Sequence, residues 1–270
     1  LFYREFVSEY EKIAAQDAGA KYQFTNPRTI DINPDDKNLN IKYLSGENIF
    51  NPAENQFYKS SLRVMRECVG NIETYLSNNN SVIVRGRRFS GKTVVLSILA
   101  ERYQKYTVLF FPSEFMVDED LLHSILENST ETLFLFDSNS LSDYAYQLVA
   151  HSEKLLKKKN NKLVVATNTN DIYLPDTLNA ETVLLPPSFE GDEIKQLIPA
   201  CDKYGLSRRK TKETNIDYLK RLSDDQKIDF SIFDSLPKKF SQQELVLLML
   251  LCIKDKLYFS DISALNIRFR

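Results

Sequence analysis

SVIVRGRRFSGKTVVLSILAERY, residues 81–103, joins a short apolar run to a helical pattern through Gly86, Gly91, Lys92 and Thr93, in the order G-x-x-x-x-G-K-T. Glycines at these places let the backbone curl until its N–H groups converge on phosphate oxygens. The helix that follows adds the positive end of its dipole at the same point. In such a loop Lys92 reaches the outer phosphates and the Thr93 hydroxyl ligates Mg2+. The expected contact surface for ATP or ADP is therefore Gly86, Arg87, Arg88, Phe89, Ser90, Gly91, Lys92, Thr93 and Val94. Arg87 and Arg88 stand where many such loops carry small residues. They either bring extra cations to the phosphates or face solvent and acids elsewhere, and the second reading is preferred because nothing in the sequence directs them inward.

Outward from this loop, short apolar runs alternate with longer helical ones. Val82–Val84, Val108–Phe111, Leu133–Phe136, Leu163–Ala166 and Val183–Leu185 read as strands, with helices near 92–105, 118–128 and 141–158 between them. Continuous apolar strands separated by helices specify a parallel sheet covered on both faces, an α/β fold. After Pro186-Pro187 the pattern becomes helical, at about 189–203, 214–223, 227–236 and 241–256. LYFSDI, at 257–262, has the composition to begin a small β element. Before the loop, residues 1–16 have helical spacing, 17–56 read as a mostly extended connector rich in Asn, Asp and Pro, and 57–77 resume helical spacing. The expected division is an N-terminal helix and connector at 1–44, a nucleotide-binding domain at 45–187, a helical lid at 188–240 and the start of a further domain at 241–270.

Two side chains at strand ends complete the candidate site. ETLFLFDSNS places Asp137 at the carboxyl end of an apolar strand, where ligands bind in open α/β sheets and where a carboxylate holds hydrated Mg2+. Ser138, Asn139 and Ser140 follow it, with no Glu to orient an attacking water, so slow intrinsic hydrolysis, or hydrolysis relying on a base from elsewhere, is expected. LVVATNTND ends the fourth strand in polar residues; Asn168 is the first choice to touch the outermost phosphate or its water, and Thr167 the second. The expected catalytic set is Lys92, Asp137 and Asn168. The metal set is Thr93 and, through water, Asp137.

With a helix before the loop, a strand between the loop strand and that of Asp137, a polar strand end and a helical lid, residues 45–256 resemble the additional-strand branch of P-loop NTPases. Within it the chain is most similar to the STAND signal-transduction ATPases of NACHT and NB-ARC type. VLLPPSFEGDEIKQLI, where Ser188 or Phe189 would open a helix, resembles that group's junction of a Leu- or Pro-rich strand with an F-x-x-x-E lid motif. Residues 241–270 resemble the opening of its winged helix. The resemblance implies a switch in which ADP holds lid and core together, while the scattered cysteines read as reduced thiols of a cytoplasmic protein. An unknown trigger and ATP would then permit self-oligomerisation, in a setting such as antiviral or immune defence. The adenine pocket it implies falls at Ile49, Phe50 and Asn51, near Phe57 and Tyr58, with core packing an equal reading. The alternatives are an AAA+ remodeller or loader acting on nucleic acid or protein, and a nucleotide-binding scaffold that does not hydrolyse. Arg208, Arg209 and Lys210 either reach a neighbour's nucleotide or solvate a loop, and solvation is preferred.

Composition narrows the classes further. The chain has 270 residues, 35 Lys and Arg against 37 Asp and Glu, and so a net charge of −2, which argues against a general nucleic-acid or anionic-membrane binder. Apolar runs fall short of the ~20 residues that span a bilayer. Three cysteines, Cys68, Cys201 and Cys252, are too few and too scattered for a disulfide framework or a zinc site. The chain opens on Leu1 with a helical pattern already running. It is therefore expected to be a piece of a longer protein, in which the resemblance implies an upstream effector and a downstream sensor domain.

Overall fold

The computed structural model describes residues 24–113, 115–168 and 181–230. The elements before the loop are β1 (Arg28–Asp31), α1 (Lys37–Leu44), β2 (Phe50–Asn51), β3 (Gln56–Lys59) and α2 (Cys68–Asn78). The α/β unit continues with β4 (Ser81–Gly86), α3 (Lys92–Arg102), β5 (Thr107–Phe111), α4 (Glu119–Asn128), β6 (Thr132–Phe136), α5 (Asp143–His151), α6 (Glu153–Lys159), β7 (Lys162–Asn168) and β8 (Glu181–Leu185). The segment expected to be the lid, called the lid below, holds α7 (Asp192–Tyr204) and α8 (Asn215–Gln226).

Strands β4 to β8 form one parallel sheet in the order β5-β6-β7-β4-β8. All five expected strands are present, and the fold is the expected α/β type, a parallel sheet flanked by helices. The sequence puts β5 between the loop strand and β6, yet in space β7 occupies that place and β5 goes to the edge. Strand alternation then sorts the side chains. Val82, Val84, Leu133, Leu135, Val164 and Ala166 join Ile72, Leu76, Leu96 and Leu99 of α2 and α3 in one core. Phe134, Phe136, Leu163 and Val165 face Leu122, Ile125, Val149 and Leu156 of α4, α5 and α6 in the other.

Local chemistry sets the element ends. Asp36, Asp118, Ser142 and Thr214 cap α1, α4, α5 and α8, each side-chain oxygen accepting from a backbone N–H three residues on. The single helix expected over 141–158 is two. Ser152 stops α5, its Oγ donating to the Val149 carbonyl at 2.8 Å.

Four further expectations before and after the sheet are corrected. The described part of the connector, 24–56, holds β1, α1 and β2 rather than a mostly extended chain. Residues 24–26 also pair with the outer edge of β5, Asn26 N–H donating to the Val108 carbonyl at 2.7 Å. The helical spacing at 57–77 is in part β3, which pairs with β1 and β2 in a small three-stranded sheet, and α2 begins only at Cys68. Phe57 points into an aromatic cluster with Phe50 and Phe110, so its apparent helical spacing reflects tertiary packing. The lid helix opens at Asp192, not at Ser188 or Phe189. Ser188 bridges to Thr214 and Gly191 caps the helix. The helix expected at 227–236 is absent over its described part, because Lys227 takes φ +54° and ends α8. Residues 1–16, Thr169, Asn170, the winged-helix-like 241–270 and Cys252 lie outside the described residues.

The lid does not have a core of its own. Leu197, Ala200, Tyr204, Tyr218 and Leu222 pack in one cluster with Ile41, Leu44, Leu62 and Val64 from the segment before α2. Tyr204 Oη donates to the Pro34 carbonyl at 2.9 Å, and Asn215 Nδ2 to the Leu44 carbonyl at 2.9 Å.

Candidate nucleotide site

Alternation predicts where the site should form. Asp137 continues the Leu133-Leu135 side of β6, Asn168 the Val164-Ala166 side of β7, and Gly86 the Val82-Val84 side of β4. All three therefore leave the sheet on the face that carries α3. Gly86 is the register partner of Asn168. A cleft of about 480 Å³ opens there, lined by Arg88 to Val94, by Asp137, Ser138, Asn139 and Asn168, and by Phe189 and Asn215 of the lid.

The loop is bent by two glycines for different reasons. Gly91 takes φ +92° as it starts α3, a conformation that costs other residues strain. Gly86 is held by space, since a Cβ there would lie 2.5 Å from Ser90 Oγ and 3.2 Å from Leu185. Phe89 also takes a positive φ, +62°. Arg87 and Arg88 are exposed, as preferred, although Arg88 lines the cleft and stacks on Phe89 at 5.3 Å.

Lys92 is buried, its ammonium donating to the carbonyls of Gly86 at 3.0 Å and Arg87 at 2.9 Å. Thr93 Oγ1 donates to Asp137 Oδ2 at 2.8 Å, and the other carboxylate oxygen accepts from Ser138 N–H at 2.8 Å. A hydroxyl and a carboxylate in contact at the N-terminus of a helix are hard oxygen donors of the kind Mg2+ takes. The residues thus fit a Mg2+-nucleotide: Thr93 and Asp137 for the metal, Lys92 and the start of α3 for the phosphates. Asn168 is 5% exposed and lines the cleft, whereas Thr167 is fully buried and does not. Among the described residues, Asp137 is the sole acid lining the cleft.

At the other end the expected base-binding residues divide. Ile49 lines the cleft, together with Tyr43, Leu44 and Leu62. Phe50 and Phe57 are spent on the aromatic cluster, and the Tyr58 hydroxyl accepts from Gln56.

Three residues at the rim had no reading as a unit in the sequence. Arg66 is 3% exposed. Its Nε donates to Glu193 Oε1 at 3.0 Å, Nη1 to the Ser90 carbonyl at 3.1 Å, and Nη2 to the carbonyls of Pro186 at 2.9 Å and Ser188 at 3.2 Å. Its guanidinium stacks on Phe189 at 4.4 Å, and Arg209 covers the same ring at 4.0 Å. Arg209, expected to solvate a loop with Arg208 and Lys210, is instead buried, bonded to the Glu213 carbonyl and Asn215 Oδ1. Burial draws it down to about 10; Glu213 opposes this and the like charge of Arg66 reinforces it. Arg208 does sit at the surface, paired with Asp202 at 2.9 Å.

Comparison with known proteins places the chain only broadly. No protein-family model matches the sequence, and no curated protein matches it significantly. Among solved structures, it is similar to the Holliday junction branch migration motor RuvB of Thermotoga maritima, at 13% identity over 77% of this chain and 87% of that one, with a TM-score of 0.45. A point-mutant form of that motor gives 13% identity over the same shares and a TM-score of 0.46. Similarity to PCH-2 of C. elegans is weaker, at 11% identity over 72% of this chain and 70% of that one, with a TM-score of 0.33. At such identities and scores these likenesses say nothing about what this chain acts on. No helix among the described residues is long and apolar enough to cross a membrane.

Proposed function

We propose that this chain is an ATP- or ADP-binding switch module of a STAND-type signalling ATPase. In this reading it binds the nucleotide with Mg2+, hydrolyses ATP slowly and couples the nucleotide to self-association. The observation that carries the reading is the Thr93–Asp137 contact at 2.8 Å, in a cleft that Phe189 and Asn215 of the lid also line. When bound, Mg2+ supplies charge neutralisation on the phosphate oxygens. The chain's part is to orient the phosphates through Lys92, the loop N–H groups and Asn168, and to hold the metal through Thr93 and Asp137. The domain limits at 45–187 and 188–240 belong to this reading, as do a role in defence, flanking effector and sensor domains, and a cytoplasmic setting.

Slow turnover is supported by what lines the cleft. Asp137 is followed by Ser138 and Asn139, and no second carboxylate among the described residues lines the cleft to take a proton from water. A switch needs such slowness, because a nucleotide shifts a two-state equilibrium by its differential affinity only while it remains bound. The Phe189-x-x-x-Glu193 motif supports the STAND assignment within the wider additional-strand group by its resemblance to that group's lid junction, and both of its residues engage Arg66.

The test is mass spectrometry of nucleotide released from the purified chain, with calorimetric titration of Mg·ADP. ADP should co-purify, and Lys92→Ala should abolish binding while leaving the fold intact. Unchanged affinity in Lys92→Ala would refute the site. A nucleotide-free chain whose ATP turnover is stimulated by DNA would select the remodeller or loader reading instead.

A further inference from the structure

The Arg66 guanidinium touches three segments that are distant in sequence: the glycine-rich loop at the Ser90 carbonyl, the exit of β8 at Pro186 and Ser188, and the first turn of α7 at Glu193. We propose that Arg66 and Glu193 are positioning residues that make the shape of the phosphate loop and the attachment of the lid one linked variable, so that nucleotide at the loop tightens the lid's first turn. This rests on the nucleotide-binding reading above and goes beyond it by naming the joint.

Two features show that the joint is built for coupling rather than for packing alone. Glu193 Oε1 accepts from Arg66 Nε at 3.0 Å and from the Glu67 N–H at 2.9 Å. Helix α2 has no side-chain cap of its own, so a lid carboxylate serves one of the free donors at its start. Any displacement of the lid's first turn therefore uncaps α2 and leaves Arg66 without its buried counter-charge, an arrangement with few intermediate states.

The second feature is the Phe189 ring, held between Arg66 at 4.4 Å and Arg209 at 4.0 Å. Two guanidinium groups on one ring offset their mutual repulsion through the ring's π-system and through Glu193. Arg66 follows the loop, while Arg209 follows the lid through Asn215 and the Glu213 carbonyl. A shift of either arginine is thereby felt at the ring by the other. Interdependence of this kind is a coupling free energy between two sites, and it is reciprocal: nucleotide orders the lid, and a held lid tightens nucleotide.

Hydrogen exchange across residues 192–204, with and without Mg·ADP, tests the proposal on the whole chain. In the wild type, ADP should slow exchange in α7 by about tenfold. Glu193→Ala, a residue that does not line the cleft, should still bind a fluorescent ADP, yet ADP should no longer slow exchange in α7. Arg66→Lys, which keeps the charge but not the fork, should lose the slowing as well. Should Glu193→Ala not fold, Glu193→Gln keeps the shape and one acceptor, and reduced slowing is expected. Full ADP-dependent slowing in these variants would overturn the proposal, as would a wild type that binds ADP without any slowing in α7. A wild type that binds no ADP overturns the nucleotide reading itself.

Discussion

Thr93 Oγ1 donates to Asp137 Oδ2 across 2.8 Å, joining the first turn of α3 to the end of β6, 44 positions away in sequence. Asp137 is 5% exposed, so the carboxylate is presented to the cleft rather than to bulk water. If the pair holds Mg2+, removing the charge should cost metal-dependent affinity specifically. Asp137→Asn is expected to lose about 10- to 100-fold in nucleotide affinity in the presence of Mg2+, and little in EDTA. Titration of ADP in both buffers reads the difference, and an equal loss in the two would dissociate Asp137 from the metal.

The side chain after Asp137 sets a second expectation. Ser138 lines the cleft but carries no base, so the wild type should turn over slowly. Ser138→Glu should raise steady-state ATP turnover by about tenfold or more, if the missing element is a carboxylate beside the attacking water. A colorimetric phosphate assay is sufficient, and an unchanged rate would show that water activation is not the limiting defect.

Glycine substitutions in the loop should fail for separable reasons. Gly86→Ala drives a methyl group to within 2.5 Å of Ser90 Oγ and 3.2 Å of the Leu185 carbonyl, and should cost about 1–3 kcal/mol in urea unfolding. Gly91→Ala meets no atom within 4 Å but must hold φ +92°, a cost of about 1–2 kcal/mol. Pairing Gly86→Ala with Ser90→Ala should recover part of the first loss and none of the second.

Acid should loosen the lid at a particular carboxylate. Burial pushes Glu213 up, but hydrogen bonds from Arg221 and the Lys210 N–H, with the charges of Arg221 and Arg209, outweigh it and hold the carboxyl below the ordinary 4.5. A carboxyl with a depressed folded value binds fewer protons folded than unfolded. Its contribution is therefore complete above about 4.5 and lost as pH falls through the folded value. Glu213→Gln should lower the melting temperature at pH 7 and flatten the decline of stability below pH ~4.5. An identical acid profile in the variant would remove Glu213 from the account.

Much of the site was legible because its chemistry is local or strictly periodic. Lys92 and Thr93 follow a glycine that starts a helix, and Asp137 and Asn168 end apolar strands. The two-residue period then aligns Asp137 with Leu133 and Leu135, Asn168 with Val164 and Ala166, and Gly86 with Val82 and Val84, while the strand register brings the three onto one face. The same reasoning misread residues 57–77, where Phe57 and Leu62 fit a helical spacing yet pack against different partners, Phe110 in the sheet core and the lid cluster respectively. It also misread Arg209, since a run of Arg, Arg and Lys resembles any solvated loop until a ring and an asparagine are brought beneath it.

The sequence by itself determined that an α/β sheet carries a phosphate-type loop, and which side chains stand at the ends of its strands. Those features depend on residues close in the chain and on backbone periods. Only the tertiary structure decided that β7 separates β4 from β6, that residues 24–64 complete both the sheet edge and the lid core, and that Arg66 meets Glu193 across 127 positions. Such pairings come from the way apolar faces close against one another. A buried arginine reads like any other arginine until the fold supplies the carboxylate, the carbonyls and the ring that make its burial tolerable.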